Sequence, residues 1–199
     1  ERRSKERSEI LSETAGRLLA TPNPQEAINE LCQKVMTHLD CHAFFNYLVD
    51  EEKRRLHLNA FAGIPDEAGE EVEWLDYGAA VSGWAARDAS RVVCEWIPTT
   101  PDSRTDLVKS FGIKAYACHP LLSAGRVIGT LSFGTRSRPT FTEDELSLMK
   151  TVADQVATAM ERIQLIHALR RSRDELEIRV KERTKEAREQ SRILDSFFK

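Results

Sequence analysis

Four cysteines and five histidines are the side chains here that could do nucleophilic or metal chemistry: Cys32, Cys41, Cys94, Cys118 and His38, His42, His57, His119, His167. Their spacing argues against most of it. No two cysteines form the CxxC pair of a zinc ribbon or redox centre, and the chain holds no HExxH, GxGxxG or GxxxxGK[ST] motif. Cys118 and His119 are adjacent, but neighbours on an extended strand point to opposite faces, so adjacency alone does not make a thiolate and its base. The cysteines read as reduced, buried small hydrophobes, and His167, in a charged helical stretch, reads as a surface residue. Three tryptophans, Trp74, Trp84 and Trp96, fall within 23 residues of a chain that is 7% aromatic. Together they suit either the wall of an apolar pocket or an ordinary core. No catalytic residue and no metal site are expected.

The 199 residues carry 29 Lys and Arg against 32 Asp and Glu, which leaves room for one globular domain and some extended structure. Near-neutral charge excludes a dedicated nucleic-acid binder. No window approaches the roughly 18 apolar residues of a membrane span, and no basic-then-apolar leader opens the sequence. The expectation is a cytoplasmic chain with neither nucleic-acid binding nor membrane insertion. Charge is unevenly distributed. Residues 170–199 hold ten bases and seven acids, so the other 169 carry 19 bases and 25 acids. That distal stretch lacks Gly and Pro and is rich in Arg, Lys, Glu and Leu, as an exposed long helix would be.

These residues are positioned by an ordered set of elements. Helical spacing of Ile10, Leu11, Ala15, Leu18 and Leu19 predicts a first helix over about Glu6–Ala20. A second has Asn23 as N-cap and Pro24 at the first helical position. A hairpin follows, HAFFNYLV and LHLNAFAG, then an acidic stretch from Asp66 to Asp76 that reads as a solvated helix or loop. Ser82–Ala89 is a short helix, RVVCEW a strand, and Ile97–Gly112 a turn leading into one short helix with Leu107, Val108 and Phe111 inward. IKAYACHPLL and RVIGTLSFGT pair across Ser123-Ala124-Gly125, where Gly125 suits a tight turn. Thr142 and Glu145 form a capping box, with Phe141 as a staple. The helix they start meets no breaker before the end. Its apolar positions, Val152, Val156, Ala159, Ile163, Ile166, Leu169, Leu176, Val180, Ala187 and Leu194, step by threes and fours. One 3-3 step at Ile163, Ile166 and Leu169 changes the phase of the seam. Arg173, Arg183 and Gln190 interrupt it, so the seam predicts a weak two-chain coiled coil or else a solvated single helix.

The stretch GIKAYACHPLLSAGRVIGTLSFGTRSRPTFTEDELSLMKTVADQVATAMER, from Gly112 to Arg162, resembles the closing half of a GAF domain. The element order from about Thr21 to Ile166 agrees with that family. The helix that follows looks like the linker joining such a domain to a PAS or kinase module in bacterial sensor histidine kinases, with Ile193–Phe198 as the opening of that module. The resemblance implies an α+β fold, a central antiparallel sheet flanked by N- and C-terminal helices. It divides the chain into an N-terminal dimerisation helix over 1–20, a sensor domain over 21–166 and a signalling coiled coil over 167–199. The chain would then be a piece of a larger two-component sensor kinase.

What the resemblance implies for ligands is narrower. GAF relatives hold a small ligand between one sheet face and the irregular middle segment, which makes Cys94, Trp96, Arg104, Phe111, Tyr116 and Cys118 the ligand-binding candidates. Aligning Phe111-Gly112 with the Asn-Met-Gly turn of phytochrome-like relatives puts Ser103 and Arg104 where a Cys-His step would hold a bilin, so no covalent bilin is expected. The Asn-Lys-Phe-Asp-Glu set of cyclic-nucleotide relatives is absent. Haem would need Cys94, Cys118 or His119 as an axial ligand. No ligand or cofactor is favoured. The homodimer is expected through the first and last helices, with Val156, Ile163, Ile166, Leu169, Leu176 and Val180 in the signalling seam. Three alternatives stand beside this: a ligand-independent spacer, a haem-based redox or gas sensor, and a methionine-sulfoxide-reductase-like enzyme, which would require Cys94 and Cys118 to meet.

Overall fold

The computed structural model describes residues 24–197, with side chains described over 25–188. The helix expected over 6–20 lies outside the described residues. The first helix, α1, is Pro24–His38, where Pro24 has the fixed φ that a helix start accepts. Ile28, Leu31, Cys32 and Val35 recur at helical spacing and are fully buried.

The hairpin forms as its alternation requires, β1 at Ala43–Asp50 and β2 at Arg55–Ala62. The acidic stretch departs from expectation. After α2 (Asp66–Glu71), residues Trp74–Asp76 form an edge strand, β3, antiparallel to β2. Its Asp76 meets Arg55 at 2.6 Å, a cross-strand pairing of opposite charges that the one-signed local sequence does not reveal. Helix α3 (Ala80–Asp88) starts two residues before the expected position, strand β4 is Val92–Cys94, and a 3-10 turn at Ser103–Thr105 runs into helix α4 (Asp106–Ser110). Strands β5 (Ala115–Ser123) and β6 (Arg126–Thr135) complete a six-stranded antiparallel sheet of order β3-β2-β1-β6-β5-β4.

Two residues fix how this sheet closes. A Cβ on Gly129 would lie 2.2 Å from the Tyr47 carbonyl oxygen, so only glycine lets β6 approach β1 this closely. Pro120 pairs with Thr130 of β6 but lies beyond the β4 pairing, which stops at Val92↔Cys118. A residue without an N–H therefore falls where the second neighbour has ended.

Strand alternation sorts the core into two layers. Ala43, Phe45, Tyr47, Tyr116 and Cys118 share a cluster with Val81, Ala85 and Val108 of α3 and α4. Phe44, Ala117, His119, Leu131 and Phe133 point the other way and are buried, as are the inward faces of α1 and of the last helix, α5 (Glu143–Phe197). Thr142 and Glu145 cap α5 reciprocally: the Thr142 N–H donates to Glu145 Oε2 at 2.8 Å, and the Glu145 N–H to Thr142 Oγ1 at 3.3 Å. Phe141 before the cap and Leu146 within the first turn are both buried, as a staple requires.

The chain divides into two units, one ending at Met160 and one starting at Glu161. In the first, Met149, Val152, Ala153, Val156, Ala157 and Met160 are buried. The described residues of the second are helical, and its Leu165, Ile166, Leu169, Leu176, Ile178 and Val180 are exposed. No described helix is long and apolar enough to cross a membrane.

Candidate functional site

The face of the sheet beneath α3 and α4 carries a buried row of polar groups. Tyr116 and Cys118 on β5, Thr130 and Ser132 on β6, and Ser82 on α3 are all buried there. Ser132 Oγ donates to the Phe45 carbonyl at 3.1 Å, so the Tyr116 hydroxyl donates to Ser132 Oγ, 2.5 Å away. The Cys118 thiol lies 3.7 Å from Ser82 Oγ, and the Tyr47 hydroxyl donates to the Val72 carbonyl at 2.9 Å. Burial pushes the Cys118 thiol up to about 12, with the Ser82 and Thr130 hydroxyls pulling the other way. Burial likewise raises the phenols of Tyr47 and Tyr116. Burial keeps the thiol and both phenols neutral at physiological pH, and the Thr130 hydroxyl buried among them has no hydrogen-bond partner.

Above them lies a cavity lined by Phe45, Tyr47, Leu75, Ala80, Val81, Ser82, Leu107, Val108 and Tyr116, with a volume of about 10 Å³. That is the space of a single water, against about 300–1,000 Å³ for a small-molecule pocket. Ala80, in its wall, has a left-handed φ of +49°, a conformation that costs a residue with a Cβ.

A second cavity, of about 200 Å³, lies at the end of β4 among Cys94, Glu95, Ile97, Thr100, Asp102 and Arg104. Asp102 caps the 3-10 turn through the Arg104 N–H at 3.0 Å and also takes the guanidinium, Nη2 to Oδ2 at 2.7 Å. These hydrogen bonds hold the Asp102 carboxyl below its usual range despite some desolvation. Arg104 also lies 5.2 Å from the ring centroid of Trp84, which Arg87 approaches at 3.9 Å, each an attraction between cation and ring face.

The six ligand-binding candidates therefore separate. Tyr116 lines the central cavity, Cys118 lies in the same polar row, and Phe111 stacks on Phe45 at 6.3 Å. Cys94 and Arg104 share the second cavity. Trp96 is 55% exposed in a left-handed conformation, φ +54°. None of the three tryptophans lines the central cavity, because Trp74 lies on the edge strand under Lys53 and Trp84 under its two arginines. Sequence reasoning missed Phe45, Tyr47 and Ser82. Period-2 alternation puts Phe45 and Tyr47 on one face, but nothing local says which face receives α3.

Two of the chemical alternatives meet the geometry directly. In the register Cys94↔Tyr116 and Val92↔Cys118, the two cysteines are diagonal neighbours. Diagonal neighbours lie roughly 7–8 Å apart, outside the reach of a disulfide without backbone movement. Cys94 is also raised by burial, with Arg104 opposing, so neither thiol is a ready nucleophile. For haem, Cys118 and His119 face opposite sides of the sheet, and the central cavity, which Cys118 does not line, holds about 10 Å³. These residues do not fit the group. Among the described residues no cluster of His, Cys, Asp or Glu suits a metal ion.

No curated protein matches the sequence significantly. A family model described as "GAF domain" matches residues 21–161. The fold is similar to the GAF domain from a phosphoenolpyruvate-protein phosphotransferase of Coxiella burnetii, at TM-score 0.70 and 18% identity, over 81% of this chain and 96% of that one. It is also similar to a free methionine-R-sulfoxide reductase of Neisseria meningitidis, solved with its substrate, at 0.66 and 20% over 78% and 88%. Residues 122 to 287 of a methyl-accepting chemotaxis protein match at 0.63 and 20%, over 77% and 98%.

Proposed function

Since this chain belongs to the GAF domain family, whose members are signalling and regulatory modules, we propose that it is an input module of a multidomain sensor protein, of the two-component histidine-kinase kind. Its output is the packing of α5 against the α5 of a second copy, as a parallel coiled coil leading to a following PAS or kinase module. The observation that carries this is the apolar stripe of α5. Ile166, Leu169, Leu176 and Val180 recur at spacings of three, seven and four, yet are 38%, 72%, 55% and 63% exposed in the single chain. A seam with Arg173 at an inward position is weak enough to have two packings of similar energy, and an input that favours one of them shifts the population. Val156, expected in the same seam, is fully buried in the first unit and so belongs to the domain's own core.

One observation favours a second reading for the input. With a central cavity of about 10 Å³, a ligand-independent module that holds its neighbours in register accounts for the packed interior, and the stimulus then arrives from an adjoining module. The test of the relay is sedimentation equilibrium of the 199-residue chain at tens of micromolar. A dimer is expected, with Ile166→Glu raising the dissociation constant at least tenfold. A monomeric wild type, or an unaffected variant, overturns the reading.

A further inference from the structure

His119 is a buried ionisable side chain that the site above leaves unused. It is 3% exposed, and neither ring nitrogen has a hydrogen-bond partner. It leaves β5 on the face opposite Tyr116 and Cys118, beside the cross-strand neighbour Leu131. Three charged groups act on it: Arg91 just before β4, and Lys150 and Asp154 on α5. Asp154 is already committed, since Lys150 Nζ lies 2.6 Å from its Oδ2.

A buried imidazole with two orphaned nitrogens is an exception in native proteins, where buried polar groups are almost always paired. The neutral ring is tolerated there as a flat, mostly apolar plate. The imidazolium is not, because it would carry two unsatisfied N–H donors and face two cations. Its single available anion must first leave Lys150.

We propose that His119 is a proton-sensitive latch between β5 and α5, closed while the ring is neutral and loosened when a proton is taken up. The proton enters on a ring nitrogen, Asp154 exchanges Lys150 for the imidazolium, and the turn of α5 carrying Lys150 and Asp154 shifts against β5. The sign follows from burial, which together with Arg91 and Lys150 lowers the group from 6.5 to about 4, Asp154 opposing. Closure is therefore fully favoured above pH 6.5 and is lost as pH falls toward 4. That such loosening carries a signal rests on the relay reading above; the latch itself does not.

The experiment is hydrogen exchange of the intact chain, read as protection factors for the amides of residues 146–157 at pH 7.5 and pH 5, beside a histidine NMR titration. In the wild type, protection over 146–157 is expected to fall at least tenfold at pH 5, and His119 to titrate well below 6.5. His119→Leu should keep its protection at pH 5, and Asp154→Asn should lower the His119 midpoint further. The latch is overturned by a His119 midpoint near 6.5, or by equal loss of protection in His119→Leu. Should His119→Leu not fold, His119→Met takes its place, and the wild-type titration decides on its own. Dimerisation measured by sedimentation is a separate outcome, so failure of the latch and failure of the relay are distinguishable.

Discussion

Cys32, Cys41 and Cys118 are held at about 12 by burial, and Cys94 is raised by the same cause. Because the thiolate is the reactive form, a folded sample titrated with a thiol reagent at pH 8 should show none of the four reacting within minutes, and all four after denaturation. A fast-reacting thiol in the native protein would contradict this burial. The sequence already read these residues as buried thiols, from the absence of paired spacing. What it could not supply was the company they keep. That Cys118 faces Ser82 across 36 residues, and that Cys94 shares a cavity with Arg104, are products of sheet register and of where α3 and the 3-10 turn land. A local pattern holds no information about either.

Among the elements, those with strong periodicity or a definite end signal were readable: α1 from its apolar face, the β1–β2 and β5–β6 hairpins from alternation and Gly125, and the start of α5 from its capping box. The capping box carries a measurable share of stability. Thr142 accepts the Glu145 N–H, while Arg138 braces the Glu145 carboxylate at 2.8 Å. Thr142→Ala should cost about 1 kcal/mol in denaturant unfolding, with α5 fraying first in hydrogen exchange. Edge strand β3 was missed for a physical reason. Three residues at the end of an acidic run have no strand signature of their own; they pair with β2, whose Arg55 meets Asp76 and whose His57 meets Glu73.

For the whole molecule, the informative contrast is between the buried and exposed stretches of α5, whose apolar residues are spaced similarly in the sequence. Arg173 interrupts the exposed stripe, and its contacts with Asp174 and Glu177 are exposed ion pairs, worth little. Arg173→Leu should therefore strengthen self-association at least tenfold in sedimentation, by replacing a seam charge with an apolar residue. An unchanged dissociation constant would place the seam elsewhere on the helix.

Residue spacing was enough for the order of the elements other than β3 and for the continuous last helix, because period, capping and turn chemistry act between near neighbours; the class of fold came with the resemblance carried by residues 112–162. The small volume of the central cavity, the separation of the tryptophans from it, the burial of Val156 beside the exposure of Leu169, and the unpartnered buried His119 came from long-range packing. Whether an apolar residue is core or seam, and whether a histidine has a partner, depend on which surfaces meet across dozens of residues. That is a property of the assembled sheet and its two layers of helices, not of any local pattern.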